Sequence, residues 1–163
     1  MVIEGRLAAE RGYTNADALA NSQDIDVVHI CTLYNLHSPL PEAELAAGKH
    51  VFLEKPMAST VADCDKIVAA ARAAKGNFMV GHICRFNPRY AAAKQEIAAG
   101  KIGKIISMYA RRNLPAWVGA TVLDKIGPII GDGVHDTDLM FWFSSSRAVA
   151  AYAQTEKLRQ HAH

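Results

Sequence analysis

The chain has 163 residues, half of them hydrophobic and 21% charged, with a formal net charge of +2. That is the balance of one folded domain, or of a domain with part of another, and not of a disordered segment. So small a charge gives no case for nucleic acid or an anionic membrane as partner, and no apolar run reaches the length of a membrane span. Cys31, Cys64 and Cys84 are odd in number and form no Cys-x-x-Cys pair. They read as reduced thiols in a cytoplasmic protein with no secretory signal.

Near the start, Ile3-Glu4-Gly5-Arg6 matches a processing-protease recognition tetrapeptide, and residues 4–10 are expected to be helical. Three apolar runs follow with strand length and β-branched content, over Asp26 to Thr32, His50 to Glu54 and Asn77 to Ile83. They lack clear alternation, as expected of parallel strands covered on both faces. Helices are predicted between them. Ser38 is placed to cap the first, with Pro39 and Pro41 in its opening turn and Gly48 at its end. Ser59 or Thr60 is placed to cap the second, Thr60 with Asp63 resembling a capping box; its apolar face is Val61, Cys64, Ile67, Val68 and Ala71, and Gly76 follows it. Strand, helix, strand, helix, strand is the signature of a parallel α/β unit.

The pattern then changes. Asn87-Pro88 starts a helix that ends at Gly100. Lys104 to Asn113 and Ala148 to Leu158 are expected to be longer, more alternating strands of a mostly antiparallel sheet covered on one face. Leu114 to Gly127 is expected to be loop. Asp132 to Phe143 is predicted helical, with His135, Asp138, Leu139 and Trp142 on one face. The fold class is therefore α/β, a partial Rossmann-like parallel sheet over residues 1–84 followed by part of an α+β domain over 85–163. A dinucleotide-binding half normally opens on a strand and a Gly-x-Gly-x-x-Gly turn that cradles the pyrophosphate. No such turn occurs in the sequence, so the chain is expected to begin inside a fold.

Four segments, in order, carry a resemblance. They are Asp24-Ile25-Asp26-Val27-Val28 with Thr32-x-x-Asn35-x-His37, then Gly48-Lys49-His50-Val51-x-x-Glu54-Lys55-Pro56. Arg85-Phe86-Asn87-Pro88 with Gly100-Lys101-Ile102-Gly103, and Val134-His135-Asp136-Thr137-Asp138-Leu139, complete the series. Together they resemble the glucose–fructose oxidoreductase / inositol dehydrogenase family, truncated at both ends. The resemblance implies an NAD- or NADP-dependent oxidoreductase that moves a hydride between the nicotinamide and a sugar, cyclitol or related polyol. Lys55 and His135 would be its catalytic pair. The family's supporting aspartate lies four residues before the histidine, where this chain has Gly131; Asp132, three before, is the candidate here.

Thr32, Asn35, His37, Glu54, Lys55 and Arg85 are the candidate cofactor-binding residues. Each has a plainer reading: Lys55 as a surface lysine, His135 as a hydrogen-bonded core histidine, Thr32 and Asn35 as turn residues, Arg85 as a surface ion pair. His29, His50 and His82 read as packed within strands. Arg111-Arg112 reads as a solvated strand end, and no metal site is expected, because His135, Asp136 and Asp138 lack zinc-helix spacing. The alternative function is a non-catalytic sensor or binding subunit, or a structural remnant. Homo-oligomerisation is expected through the open face of the second sheet.

Overall fold

The computed structural model describes residues 12–118, 121 and 124–156; the tetrapeptide at 3–6 and the helix expected over 4–10 lie outside them. Helix α1 (Ala16–Ala20) is capped by the Asn15 side chain, which accepts from the Asp17 N–H. Strands β1 (Val27–Ile30), β2 (His50–Leu53) and β3 (Phe78–Val80) form one parallel sheet in the order β1-β2-β3. Val28 is opposite Val51, and Leu53 is opposite Val80. The expected parallel α/β unit is present, with strands shorter than the apolar runs that announced them.

Helices α2 (Pro39–Ala46) and α3 (Val61–Ala73) connect the strands and pack on one sheet face. There Val28, Ile30, Val51 and Leu53 meet Leu45, Ala58 and Ile67 in a single core. The strands alternate between buried and more exposed positions, which departs from the two-sided burial expected of them. Among the described residues α2 and α3 share one face, so Val27 and Met79 on the other stay open to solvent.

Local chemistry sets the helix ends. Pro39 opens α2, while the Ser38 hydroxyl donates to Glu42 (3.0 Å) and Asp63 (3.3 Å) instead of capping the backbone. Gly48 leaves α2 at φ +83°, a conformation that disfavours a side chain. Thr60 caps α3 as expected, accepting from the Asp63 N–H at 3.1 Å and donating to its carboxylate at 2.7 Å. Gly76 is required for contact: a Cβ there would lie 2.0 Å from the Lys49 carbonyl. Asn87 and Pro88 start α4 (Pro88–Ala98) by cap-plus-proline chemistry.

Beyond α4 the expectation fails in part. Residues 105–115 and 150–156 form neither helix nor ladder, so the antiparallel sheet is not present among the described residues. Alternation supplies a strand with two faces, but its N–H and C=O groups still need an adjacent strand. The open sheet face proposed for oligomerisation is likewise not present among the described residues. The stretch from 114 to 127, expected to be loop, contains short helical turns α5 (Ala116–Val118) and α6 (Asp124–Ile126). A π-helical turn (Ile129–Gly133) leads into α7 (Val134–Ser144), which buries His135, Asp138 and Leu139 as the i, i+3, i+4 spacing required. The 3₁₀ turn Ile83–Phe86, where the domain boundary was expected, touches both α4 and α7. No helix among the described residues is long and apolar enough to cross a membrane.

Candidate functional site

Parallel strands present their carboxyl ends along one edge, the side where open α/β sheets bind ligands. Here that edge carries Cys31 and Thr32 after β1, Glu54-Lys55-Pro56 after β2, and Gly81-His82 after β3. The three exits are tied together by backbone. Glu54 N–H donates to Ile30 C=O (3.0 Å), and Gly81 N–H donates to Leu53 C=O (2.7 Å). The Lys55–Pro56 peptide is cis. Glu54 accepts from the Lys55 N–H at 3.2 Å and stands 3.9 Å from His29 Nε2.

Thr32 and Asn35 are exposed beside this edge, and His37 is not. The His37 ring is 1% exposed, with Nδ1 2.7 Å from the Pro56 carbonyl and Nε2 3.0 Å from the Thr32 carbonyl. It was expected to border the cofactor. Its ring nitrogens instead face backbone carbonyls of the loops after β1 and β2, bracing those loops from beneath. His29 is half exposed, and His50 accepts from the Asn77 N–H at 3.0 Å, a structural bond between β2 and the entry to β3.

The π-helical turn and α7 supply the opposite wall. Lys55 Nζ donates to the Gly131 carbonyl at 2.9 Å and stands 3.8 Å from Asp132 Oδ1. That same oxygen is 4.0 Å from His135 Nε2. Asp132 therefore sits between the two expected catalytic side chains, and Gly131 holds the lysine through its backbone. Arg112, expected on a solvated strand end, pairs bidentately with Asp136 (2.7 and 2.9 Å) and reaches Asp132 Oδ2 at 3.3 Å. Burial pushes the His135 imidazole below its ordinary value; Lys55 and Arg112 push it further down, and Asp132 opposes them.

Arg85 also departs from its surface reading. Its Nε and Nη2 grip Asp138 at 2.8 and 2.5 Å, and its guanidinium lies 5.8 Å from the Trp142 ring centroid. Its hydrogen bonds to the buried carboxylate raise the guanidinium above its ordinary value. Asp138, on the same buried face of α7 as His135, belongs to this second group. His82 joins it, with Nδ1 3.8 Å from Asp138 Oδ1. Sequence reasoning assigned His82 to the interior of a strand; β3 ends at Val80, which puts His82 on the ligand-binding edge. The signal available was its place after Gly81 at the end of an apolar run.

Four buried side-chain atoms among the described residues have no hydrogen bond, and three lie here: His82 Nδ1, Asp132 Oδ2 and His135 Nδ1. Buried polar groups normally have partners; here Asp132 Oδ2 and His82 Nδ1 have only ion-pair neighbours, Arg112 and Asp138. The residues fit the nicotinamide end of a dinucleotide, at a strand edge with a lysine and a neutral imidazole. They do not supply a glycine-rich pyrophosphate cradle.

Residues 5–82 match the model of a family described as oxidoreductases with an NAD-binding Rossmann fold. An inositol 2-dehydrogenase of Acidothermus cellulolyticus is 34% identical over 141 residues, 84% of this chain and 40% of that protein. The crystal structure of myo-inositol 2-dehydrogenase from Lactobacillus plantarum superposes with a TM-score of 0.74 at 26% identity, covering 82% of this chain and 41% of that one. Another, of scyllo-inositol dehydrogenase from Lactobacillus casei with bound cofactor NAD(H) and scyllo-inositol, gives 0.67 at 30% identity over 80% and 41%. The chain thus spans about two fifths of the length of these relatives.

Proposed function

The chain belongs to the glucose–fructose oxidoreductase / inositol dehydrogenase family, and from that premise we propose that it is part of an NAD- or NADP-dependent dehydrogenase acting on a cyclitol or related polyol. The observation that carries this reading is the convergence of Lys55, Asp132 and His135 at the carboxyl edge of a parallel sheet. When bound, the nicotinamide supplies the hydride acceptor. The residues of this chain handle the oxygen and its proton.

Lys55 donates a hydrogen bond to the reacting hydroxyl and fixes it. His135, kept neutral by burial, accepts the proton released as the carbinol becomes a carbonyl. Asp132, 4.0 Å away, stabilises the imidazolium that results. In the reducing direction the same imidazolium returns the proton. Thr32, Asn35 and Glu54 flank the strand edge as cofactor contacts, and Arg85 acts at one remove by fixing Asp138. The charges are nearly matched: Lys55, Arg85 and Arg112 face Asp132, Asp136 and Asp138. Such a site suits a neutral polyhydroxylated substrate better than an anionic one.

The test is calorimetric titration of NAD and NADP into the folded chain and its Lys55→Ala variant, followed by a polyol screen for reduced nicotinamide. The expected result is binding of one cofactor, weakened in the variant, and turnover reduced at least about 100-fold there. A well-folded chain that binds neither cofactor would overturn the enzyme reading for this chain and favour a sensory or binding role.

A further inference from the structure

His82 takes no part in the proton and hydride steps above, yet it stands among the groups that do. It lies two residues beyond β3, with its side chain 24% exposed and Nδ1 buried 3.8 Å from Asp138 Oδ1. Two hydrogen bonds from Arg85 hold that carboxylate in place. At 3.8 Å the two groups are not hydrogen-bonded, but the negative charge of the carboxylate favours the tautomer with the proton on Nδ1. The Nε2 lone pair then lies on the opposite ring edge, away from the buried Nδ1. Asp138 follows His135 by three residues on α7, and both are buried on the same helix face. The charge of Lys55 disfavours protonation of both rings, and His82 adds to that effect on His135.

We propose that His82 is a substrate-binding residue that accepts a hydrogen bond from the hydroxyl adjacent to the reacting one, so that the site selects a vicinal diol. The proposal rests on the dehydrogenase reading and deepens it: Lys55 and His135 take the reacting hydroxyl, and His82 takes its neighbour. A substrate with a single hydroxyl leaves Nε2 without that partner, and affinity falls by about tenfold or more. Burial, aided by Arg85 and Lys55 against the pull of Asp138, keeps the ring neutral and able to accept.

The experiment follows the ring ¹⁵N resonances of His82 and His135 in the full chain with NADH present, adding myo-inositol or cyclohexanol. Myo-inositol is expected to shift both rings, and cyclohexanol only His135. If myo-inositol moves His135 and leaves His82 still, the inference about His82 fails while the dehydrogenase reading stands. If neither ring moves, both fail. The affinity for myo-inositol is expected to drop about tenfold in His82→Phe and to recover in His82→Gln, whose amide oxygen can accept. Equal losses in the two variants would mark a packing role and overturn the proposal.

Discussion

Two regions of this molecule carry similar sequence signals and reach different ends. Residues 26–82 and the stretches around 104–113 and 148–156 both contain β-branched and aromatic residues in strand-like runs. The first set forms a sheet whose inner face is closed by α2 and α3, so that Leu53 and Ile67 are 0% exposed. In the second set Ile106, Tyr109, Val149 and Tyr152 are 85–101% exposed and no ladder forms. Strand propensity is a preference for a half-buried pleated surface. It is expressed where a neighbouring strand and a covering helix exist, and those were present only for the first set among the described residues.

Mutation should separate the two regions sharply. Leu53→Ala removes a fully buried side chain from the core and is expected to cost ~2–5 kcal/mol in urea unfolding. Ile106→Ala is expected to stay within about 0.5 kcal/mol. Equal effects at the two positions would mean that residues 104–113 are packed in solution.

A second contrast lies between the two walls of the site. Arg85→Ala strands the buried Asp138 carboxylate and is expected to destabilise by about 1–3 kcal/mol, read as a lower melting temperature. Double substitution with Asp138→Asn should recover most of that loss, because the uncompensated charge is then gone.

Acid should act on both walls together. His82 and His135 are pushed below the ordinary imidazole value of 6.5, chiefly by burial. The unfolded chain binds more protons between their folded values and 6.5, so stability rises with pH across that window. This stabilisation is complete above 6.5 and is lost as pH falls through the folded values. Urea midpoints measured across this range should fall toward acid pH in the native chain and fall less in His135→Gln. Proposed turnover should decline on the same side, as the His135 base becomes protonated.

A modest effect is expected at a helix end. Thr60→Ala removes the hydroxyl that caps α3 and should cost ~0.5–2 kcal/mol, with no change in cofactor affinity. Thr60 follows Lys55 by only five residues, so altered affinity would indicate that the capped start of α3 helps to position the Lys55 loop.

The sequence by itself determined the three strands, the two helices between them, the caps at Thr60 and Asn87, the turn at Gly48 and the buried face of α7. These are local effects: apolar periodicity, side-chain oxygens that satisfy free N–H groups, and glycine's access to positive φ. It also singled out Lys55, Asp132 and His135, through their order along the chain and their likeness to a family. What only the tertiary structure decided concerns long-range pairing. It put His37 beneath the site as a brace, because two carbonyls from separate loops converge on its ring. It bound Arg85 to Asp138 and Arg112 to Asp136, partners 53 and 24 residues away, and left His82 open at a strand end. Among the described residues it formed no sheet from the later runs. Periodicity tells a residue which side to face, but ion pairs, braces and ladders depend on which distant group arrives opposite, and that is set when the chain folds on itself.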